Sequence, residues 1–259
     1  GGNATVTMGD TGLKVKLPAT VTGKDEVTPK RSAEKDFIVF VPSSTNLAGS
    51  ATVSGSYNGP SDWQNLSKIN DADEDSGWNG WRSTGDAQPV EFIQYTFTEK
   101  LELIGSIIRF VSDGGGVVYP EAVDFEYYDD NAQAWKIVTA DDAYSMEDGA
   151  VPGVANGYGR RNGYDFNRKI ITDKIKINMT YGKNNDNVMA PAFICDWTVI
   201  GGKYVKPDLT SLNTLITQAE ALDTSGMDAE KVAAFTAALE AAQAVAADKN
   251  PTQAPFYLL

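Results

Sequence analysis

Histidine is absent from the 259 residues, and cysteine occurs once, at Cys195. Without imidazole there is no histidine general base, no Ser-His or Cys-His couple and no imidazole zinc ligand. A single cysteine excludes an intramolecular disulfide and a multi-cysteine metal site. Phe193 and Trp197 alternate around it as on a strand, so a buried, inert thiol is expected. No run of 18 apolar residues occurs, so no helix is expected to span a membrane. Positive charge is scarce: 22 Lys and Arg stand against 35 Asp and Glu, a net charge of −13. Nucleic acid and anionic membrane surfaces are bound through basic patches, so neither partner is expected. Neutral or cationic ligands stay open. Polar neutral ligands such as sugars suit an acidic chain with many Trp, Tyr and Asn.

What the chain does have is enough apolar material for a core, at 42% hydrophobic and 10% aromatic residues. The length allows one or two domains. Three zones differ in texture. Residues 1–45 carry two short alternating runs, Ala4–Met8 and Leu13–Leu17, and a compact apolar run, Phe37–Val41. These read as strands, either a remnant of a preceding β-domain or a packing layer for the next one. The chain opens on Gly1-Gly2 in mid-pattern, and is expected to be a piece of something longer. In residues 46–205 apolar residues recur at every second position: Ile93, Tyr95 and Phe97; Val123, Phe125 and Tyr127; Ile175, Ile177 and Met179. A period of two marks half-buried strands. Long loops are expected at Ser112–Tyr119, Asp141–Tyr164 and Tyr181–Ala192. The fold class is therefore mainly β, an antiparallel β-sandwich whose function sits on loops at one end. In residues 206–259 the period changes to that of a helix. Leu212, Leu215, Ile216, Ala219 and Leu222 form one stripe, and Val232, Phe235, Leu239, Ala242 and Val245 a second. Thr224-Ser225-Gly226 separates them and Asn250-Pro251 ends them, which predicts an α-helical hairpin or truncated bundle.

The densest chemistry lies in SKINDADEDSGWNGWR, Ser67–Arg82. Asp71, Asp73, Glu74 and Asp75 repel one another unless a cation or solvent separates them. Oxygen ligands on a tight loop favour Ca²⁺; the alternative is a solvated acidic loop. Asp71, Asp73 and Asp75 mimic the start of an EF-hand, but Ser76 and Arg82 occupy the places of its Gly and Glu. Trp78 and Trp81 follow, three residues apart. One is expected to cap the core and the other to face solvent.

Four segments in order resemble the F5/8 type C (discoidin-like) galactose-binding fold found in family 32 carbohydrate-binding modules. They are NLAGSATVSGSY (Asn46–Tyr57), LSKINDADEDSGWNGW, SDGGGVVYPEAVDFEYYDDNAQAWKIV (Ser112–Val138) and ICDWTVIGG (Ile194–Gly202). The resemblance implies a jelly-roll sandwich over residues 46–205. It also implies a structural Ca²⁺ held by Asp71, by carbonyls near Lys68, Asp73 and Ser76, and by Asp196. Here the family's Asp-Gly reads Asp71-Ala72, and its closing Glu is Asp196. Residues 208–253 resemble a FIVAR-type helical module lacking its third helix. That order of modules is similar to the C-terminal part of large secreted glycoside hydrolases, β-galactosidases among them. It implies an extracellular or cell-surface location and further domains of a parent chain.

Sugar recognition needs a flat aromatic face for the apolar side of a pyranose and polar groups for its hydroxyls. Trp63 is the clearest candidate, because its neighbours are polar. Trp81 and Tyr119 are further candidates, and each of these aromatics reads equally well as a structural residue. Arg161 and Asn185, in long loops, could bond hydroxyls or simply be solvated turns. Gly114–Gly116 has no following Lys-Ser/Thr, which argues against a P-loop. No catalytic barrel is recognisable, and some 160 residues of sandwich are too few for one. The expected function is a non-catalytic module that binds galactose-type glycan weakly. The competing reading is an adhesion or packing domain with no sugar site.

Overall fold

The computed structural model describes residues 5–9, 12–20, 32–39, 45–73, 75–82, 90–151 and 154–252, with backbone alone for residues up to 45 and for 141–144 and 146–148. Strands β1 (Thr5–Gly9), β2 (Gly12–Thr20) and β3 (Ser32–Val39) form a three-stranded antiparallel sheet in sequence order. The described parts of all three runs anticipated in residues 1–45 are thus strands; Ala4 of the first and residues 40–41 of the third lie outside the described residues.

The second sheet contains β4 (Thr45–Asn46), β5 (Thr52–Gly55), β6 (Trp78–Asn79), β7 (Val90–Ser112), β8 (Ala122–Asp129), β9 (Ala134–Val138), β10 (Asp141–Ala150), β11 (Tyr158–Thr180) and β14 (Phe193–Lys203). Its spine is the antiparallel pair β7 and β11, each 23 residues long. The first half of β7 pairs with β5, and its second half with β14. β11 pairs with β10 through its first half and with β8 through its last residues. Register breaks at Asp165/Ile170 and Thr172/Lys174 of β11 let both long strands bend. Lys100 and Asp173 pair at 3.1 Å at the second break.

The bend folds one curled sheet into two facing layers. Trp197 of β14 stacks on Tyr95 in the first half of β7, with ring centroids 3.9 Å apart and planes 16° apart. Phe125 of β8 meets Tyr164 and Phe166 edge-on at 4.9 and 5.3 Å. Inward side chains follow the period of two: Ile93, Tyr95, Phe97, Ile175, Ile177 and Met179 are buried. The two indoles deepest in this core are Trp78 and Trp197, both fully buried. The Trp197 indole N–H donates to Ser106 Oγ at 2.9 Å, which satisfies the polar edge of a buried ring. Cys195 is buried and unbridged, as expected.

Two expected loops contain strands. Asp141–Tyr164 holds β10 and the start of β11, joined in an antiparallel hairpin. Tyr181–Ala192 holds the short ladder of β12 (Gly182–Lys183) and β13 (Met189–Ala190). Both segments are rich in Gly, Asn and Asp and lack apolar alternation. Their pairing comes from neighbouring strands that sequence periodicity does not see.

The chain divides into two compact units, one of residues 1–128 and 135–203, the other of Asp129–Ala134 and Tyr204–Leu259. In the second unit, α1 (Thr210–Glu220) and α2 (Ala229–Ala247) carry the two helical stripes, except that Leu222 of the first lies beyond the end of α1. Asp228 caps α2, accepting from Glu230 N–H at 3.0 Å. The helix ends before Asn250-Pro251. Gln243 donates to Glu220 Oε1 at 2.7 Å, tying the helices together. Neither helix buries a residue fully.

Candidate functional site

Three segments of the first unit line an open cavity of about 530 Å³, with Tyr57, Trp63, Gln64, Asn79, Trp81 and Asp113 among its lining. Local structure explains each position. After β5 the chain enters a 3₁₀ turn, Asp62–Gln64, which presents Trp63 with 37% of its surface exposed. One edge of that indole rests on Phe193 at 5.3 Å. β6 is held against β14 by the pairs Phe193↔Asn79 and Ile194↔Trp78. Trp78 points into the core and its indole N–H donates to Tyr57 O at 3.1 Å. Trp81 leaves the sheet and is 49% exposed. The core and solvent roles expected for the two are therefore filled by Trp78 and Trp81 respectively. Glycine is required on both sides of Trp78. A Cβ at Gly77 would fall 2.4 Å from Ile194 O, and one at Gly80 would strike the Tyr181 hydroxyl.

The polar groups are fixed as firmly as the rings. Gln64 Nε2 donates to Trp81 O at 2.6 Å, stitching the first segment to the second. Asn79 Oδ1 accepts from Trp81 N–H at 3.0 Å. In the third segment, after β7, Asp113 Oδ1 accepts from Gly115 and Val117 N–H at 2.8 and 3.0 Å.

Beneath the rim lies an ion pair. Glu91 is fully buried, and Arg82 Nη2 sits 2.5 Å from its Oε1. Ser56 Oγ donates to Glu91 Oε2. The Arg82 guanidinium also lies 4.1 Å over the Tyr57 ring, so the pair braces a residue that lines the cavity. Burial, and then the Glu91 charge, push the Tyr181 phenol well above its ordinary pKa, against the opposing pull of Arg82.

Of the residues singled out for sugar contact, the structure brings Trp63 and Trp81 together on one cavity. Tyr119 does not line it: its hydroxyl donates to Tyr158 O at 2.8 Å, and Arg160 stacks on its ring at 4.3 Å. Arg161 lies within β11, opposite Arg109 of β7 and Met146 of β10. Asn185 N–H donates to Gly114 O at 3.0 Å, so it buttresses the third segment from behind. Sequence reasoning passed over Tyr57, Gln64, Asn79 and Asp113. The Asp113-Gly114-Gly115 step, a turn signature, was the available signal for the last of these.

The acidic loop runs between a 3₁₀ turn, Leu66–Ile69, and β6, so the flanking helices of an EF-hand are absent among the described residues. Asp71 Oδ1 accepts from Asp73 N–H at 3.0 Å, its Oδ2 accepts from Ser76 Oγ at 3.0 Å, and Lys68 Nζ stands 3.8 Å away. Ala72 has φ of 64°, a left-handed backbone at the place where the resembling family has glycine. Asp196 follows the bulge residue Cys195 in β14 and accepts from Thr198 Oγ1 at 2.8 Å. The loop and β14 converge on one phenol. The Tyr95 hydroxyl lies 3.2 Å from Ile69 O and 2.8 Å from Trp197 O. Its pKa is raised well above the ordinary value by burial, then by the charges of Asp196 and Asp71. Among the described residues no group of three or more carboxylates, Cys or His is arranged to hold a metal. An ion here would need backbone carbonyls beside Asp71 and Asp196, the donor set of a hard cation.

No protein-family model matches the sequence, and no curated protein does. Solved structures with a similar arrangement include a family 32 CBM from C. perfringens NanJ in complex with galactose, 13% identical over 61% of this chain and 98% of that chain, TM-score 0.43. A structure of the Streptococcus pneumoniae β-galactosidase BgaA is 20% identical over 57% of this chain and 90% of that one, TM-score 0.40. A third, a Clostridium perfringens CBM32 in complex with GlcNAc-α-1,4-galactose, is 17% identical over 62% and 97%, TM-score 0.40.

Proposed function

We propose that this chain is a non-catalytic carbohydrate-binding module, and that the cavity between Trp63 and Trp81 is its glycan site. The observation that carries the reading is the pairing of two exposed indoles with fixed amide and carboxylate groups around one cavity of about 530 Å³. That volume falls in the range of small-molecule sites. The indoles offer flat apolar faces, and Ser61, Gln64, Asn79 and Asp113 offer donors and acceptors for hydroxyls. The galactose-type ligand, the extracellular location and the parent glycoside hydrolase are part of the proposal and rest on the sequence resemblance. So does a structural Ca²⁺ held by Asp71, Asp196 and loop carbonyls; the hydrogen bonds that bring Ile69 O and Trp197 O, next to the acidic loop and to Asp196, onto the one Tyr95 hydroxyl support it. The module would hold its parent enzyme at glycan and raise the effective substrate concentration.

A monosaccharide in a single open site should bind with a Kd of about 1 mM. The test is calorimetric titration of the chain with galactose, lactose and N-acetylglucosamine, repeated on Trp63→Ala, together with an aryl-glycoside assay. Saturable binding that the variant loses, without turnover, is the expected result. Turnover of the aryl glycoside, or binding untouched by Trp63→Ala, would overturn it.

A further inference from the structure

Among the described residues ten line the cavity; Asp113 is the one charged side chain of these ten, and none of them is Lys or Arg. The carboxylate is preset. Its Oδ1 is held by the N–H groups of Gly115 and Val117, and among the described residues its Oδ2 takes no hydrogen bond. The segment that carries it is pinned from outside by Asn185 N–H on Gly114 O at 3.0 Å and Asn184 Nδ2 on Gly115 O at 3.1 Å. Arg82 touches the lining through the Tyr57 ring, but its charge is matched by the buried Glu91 at 2.5 Å. Among the described residues the cavity therefore keeps one uncompensated negative charge, inside a chain of net charge −13.

From this we infer that the site selects glycans by charge. A sugar bearing a protonated amine is preferred over its neutral counterpart, a uronic acid is rejected, and Asp113 is the residue that discriminates. The inference rests on the glycan reading above. A hydroxyl gives the carboxylate an ordinary hydrogen bond. An ammonium gives it a charge-assisted one, roughly twice as strong. Like charge repels a uronate from the same carboxylate, with no cation among the described lining residues to offset it. Because the site is open to solvent, the gain is that of an exposed ion pair, about two- to fivefold in affinity, and salt weakens it.

The experiment compares galactosamine, galactose and galacturonate on the full chain by nitrogen-15 HSQC titration, at low and at high salt. The same series is run on Asp113→Asn. The asparagine oxygen can still accept from Gly115 and Val117, so the loop keeps its ties. The expected order is galactosamine, then galactose, with no galacturonate binding. The preference should shrink in high salt and fall to about onefold in the variant. Equal affinity for galactosamine and galactose, a preference that persists in Asp113→Asn, or galacturonate binding as tight as galactose would each overturn the charge selection and leave the glycan site standing. Failure of all three sugars on the unaltered chain would overturn both.

Discussion

Trp78 and Trp81 are three residues apart, yet one is sealed in the sandwich interior and the other stands half exposed on the rim. Trp197 and Trp63 repeat the contrast: the first stacks on Tyr95 in the core, the second rests one edge on Phe193 and turns toward the cavity. The interior uses indoles for volume and satisfies their N–H groups, through Ser106 and Tyr57 O. The rim uses the same side chain as open surface. The lesson is that stability and recognition are carried by different residues of one type, separated by a single layer.

The sharpest way to break this contrast is to truncate one residue from each region. Trp197→Ala empties a fully buried site and is expected to cost roughly 3–5 kcal/mol, measured by urea denaturation. Trp81→Ala should change stability by less than about 1 kcal/mol and weaken glycan binding about tenfold or more. Comparable destabilisation by both would erase the distinction between interior and rim.

The ion pair between the regions comes next. Arg82→Met leaves Glu91 buried without its cation and should cost roughly 3 kcal/mol. Adding Glu91→Gln should return most of that loss, because the uncompensated charge is gone. A double variant as unstable as the single one would show that the pair matters for packing alone.

Alkaline pH probes the same two layers. The phenols of Tyr95, in the interior, and Tyr181, beneath the rim, both have pKa values raised by burial and nearby carboxylates. Below about pH 10 both phenols are protonated whether the chain is folded or not, and the shifts have no effect on stability. Above it the unfolded chain releases protons that the folded chain retains. Stability should then fall by up to about 1.4 kcal/mol per pH unit for each tyrosine. Thermal melts from pH 9 upward check this, and Tyr181→Phe should flatten the slope.

The smallest effect belongs to the acidic loop. Ala72 holds a left-handed backbone, so Ala72→Gly should relieve strain and raise stability by about 0.5–1 kcal/mol. A loss of stability in a melt would contradict the assigned backbone.

Much of the interior was legible because burial on both layers imposes a period of two. Ile93, Tyr95 and Phe97 announced the first half of β7, and the same phase extended backward places Glu91 on the inward face. That in-phase carboxylate was the unread signal for the buried pair with Arg82. The helices were legible for a similar reason, since Leu and Ala at helical spacing leave few alternatives. The rim was harder. Trp63 stood out against polar neighbours, and Trp81 against Asn79 and Gly80. Asp113, Asn79 and Gln64 join them only through folding, by contacts between segments far apart in the chain. Tyr119 looked equally exposed in sequence, but Arg160 stacks on its ring, and strand pairing alone decides that.

The most direct measurement is a nitrogen-15 HSQC of the indole region during titration with lactose. The chain has five tryptophans, so each can be assigned by single substitution. The indole signals of Trp63 and Trp81 should shift together along one saturable isotherm, while the buried Trp78 and Trp197 stay in place. Signals that all stay in place, or shifts confined to other tryptophans, would contradict a glycan site at this rim.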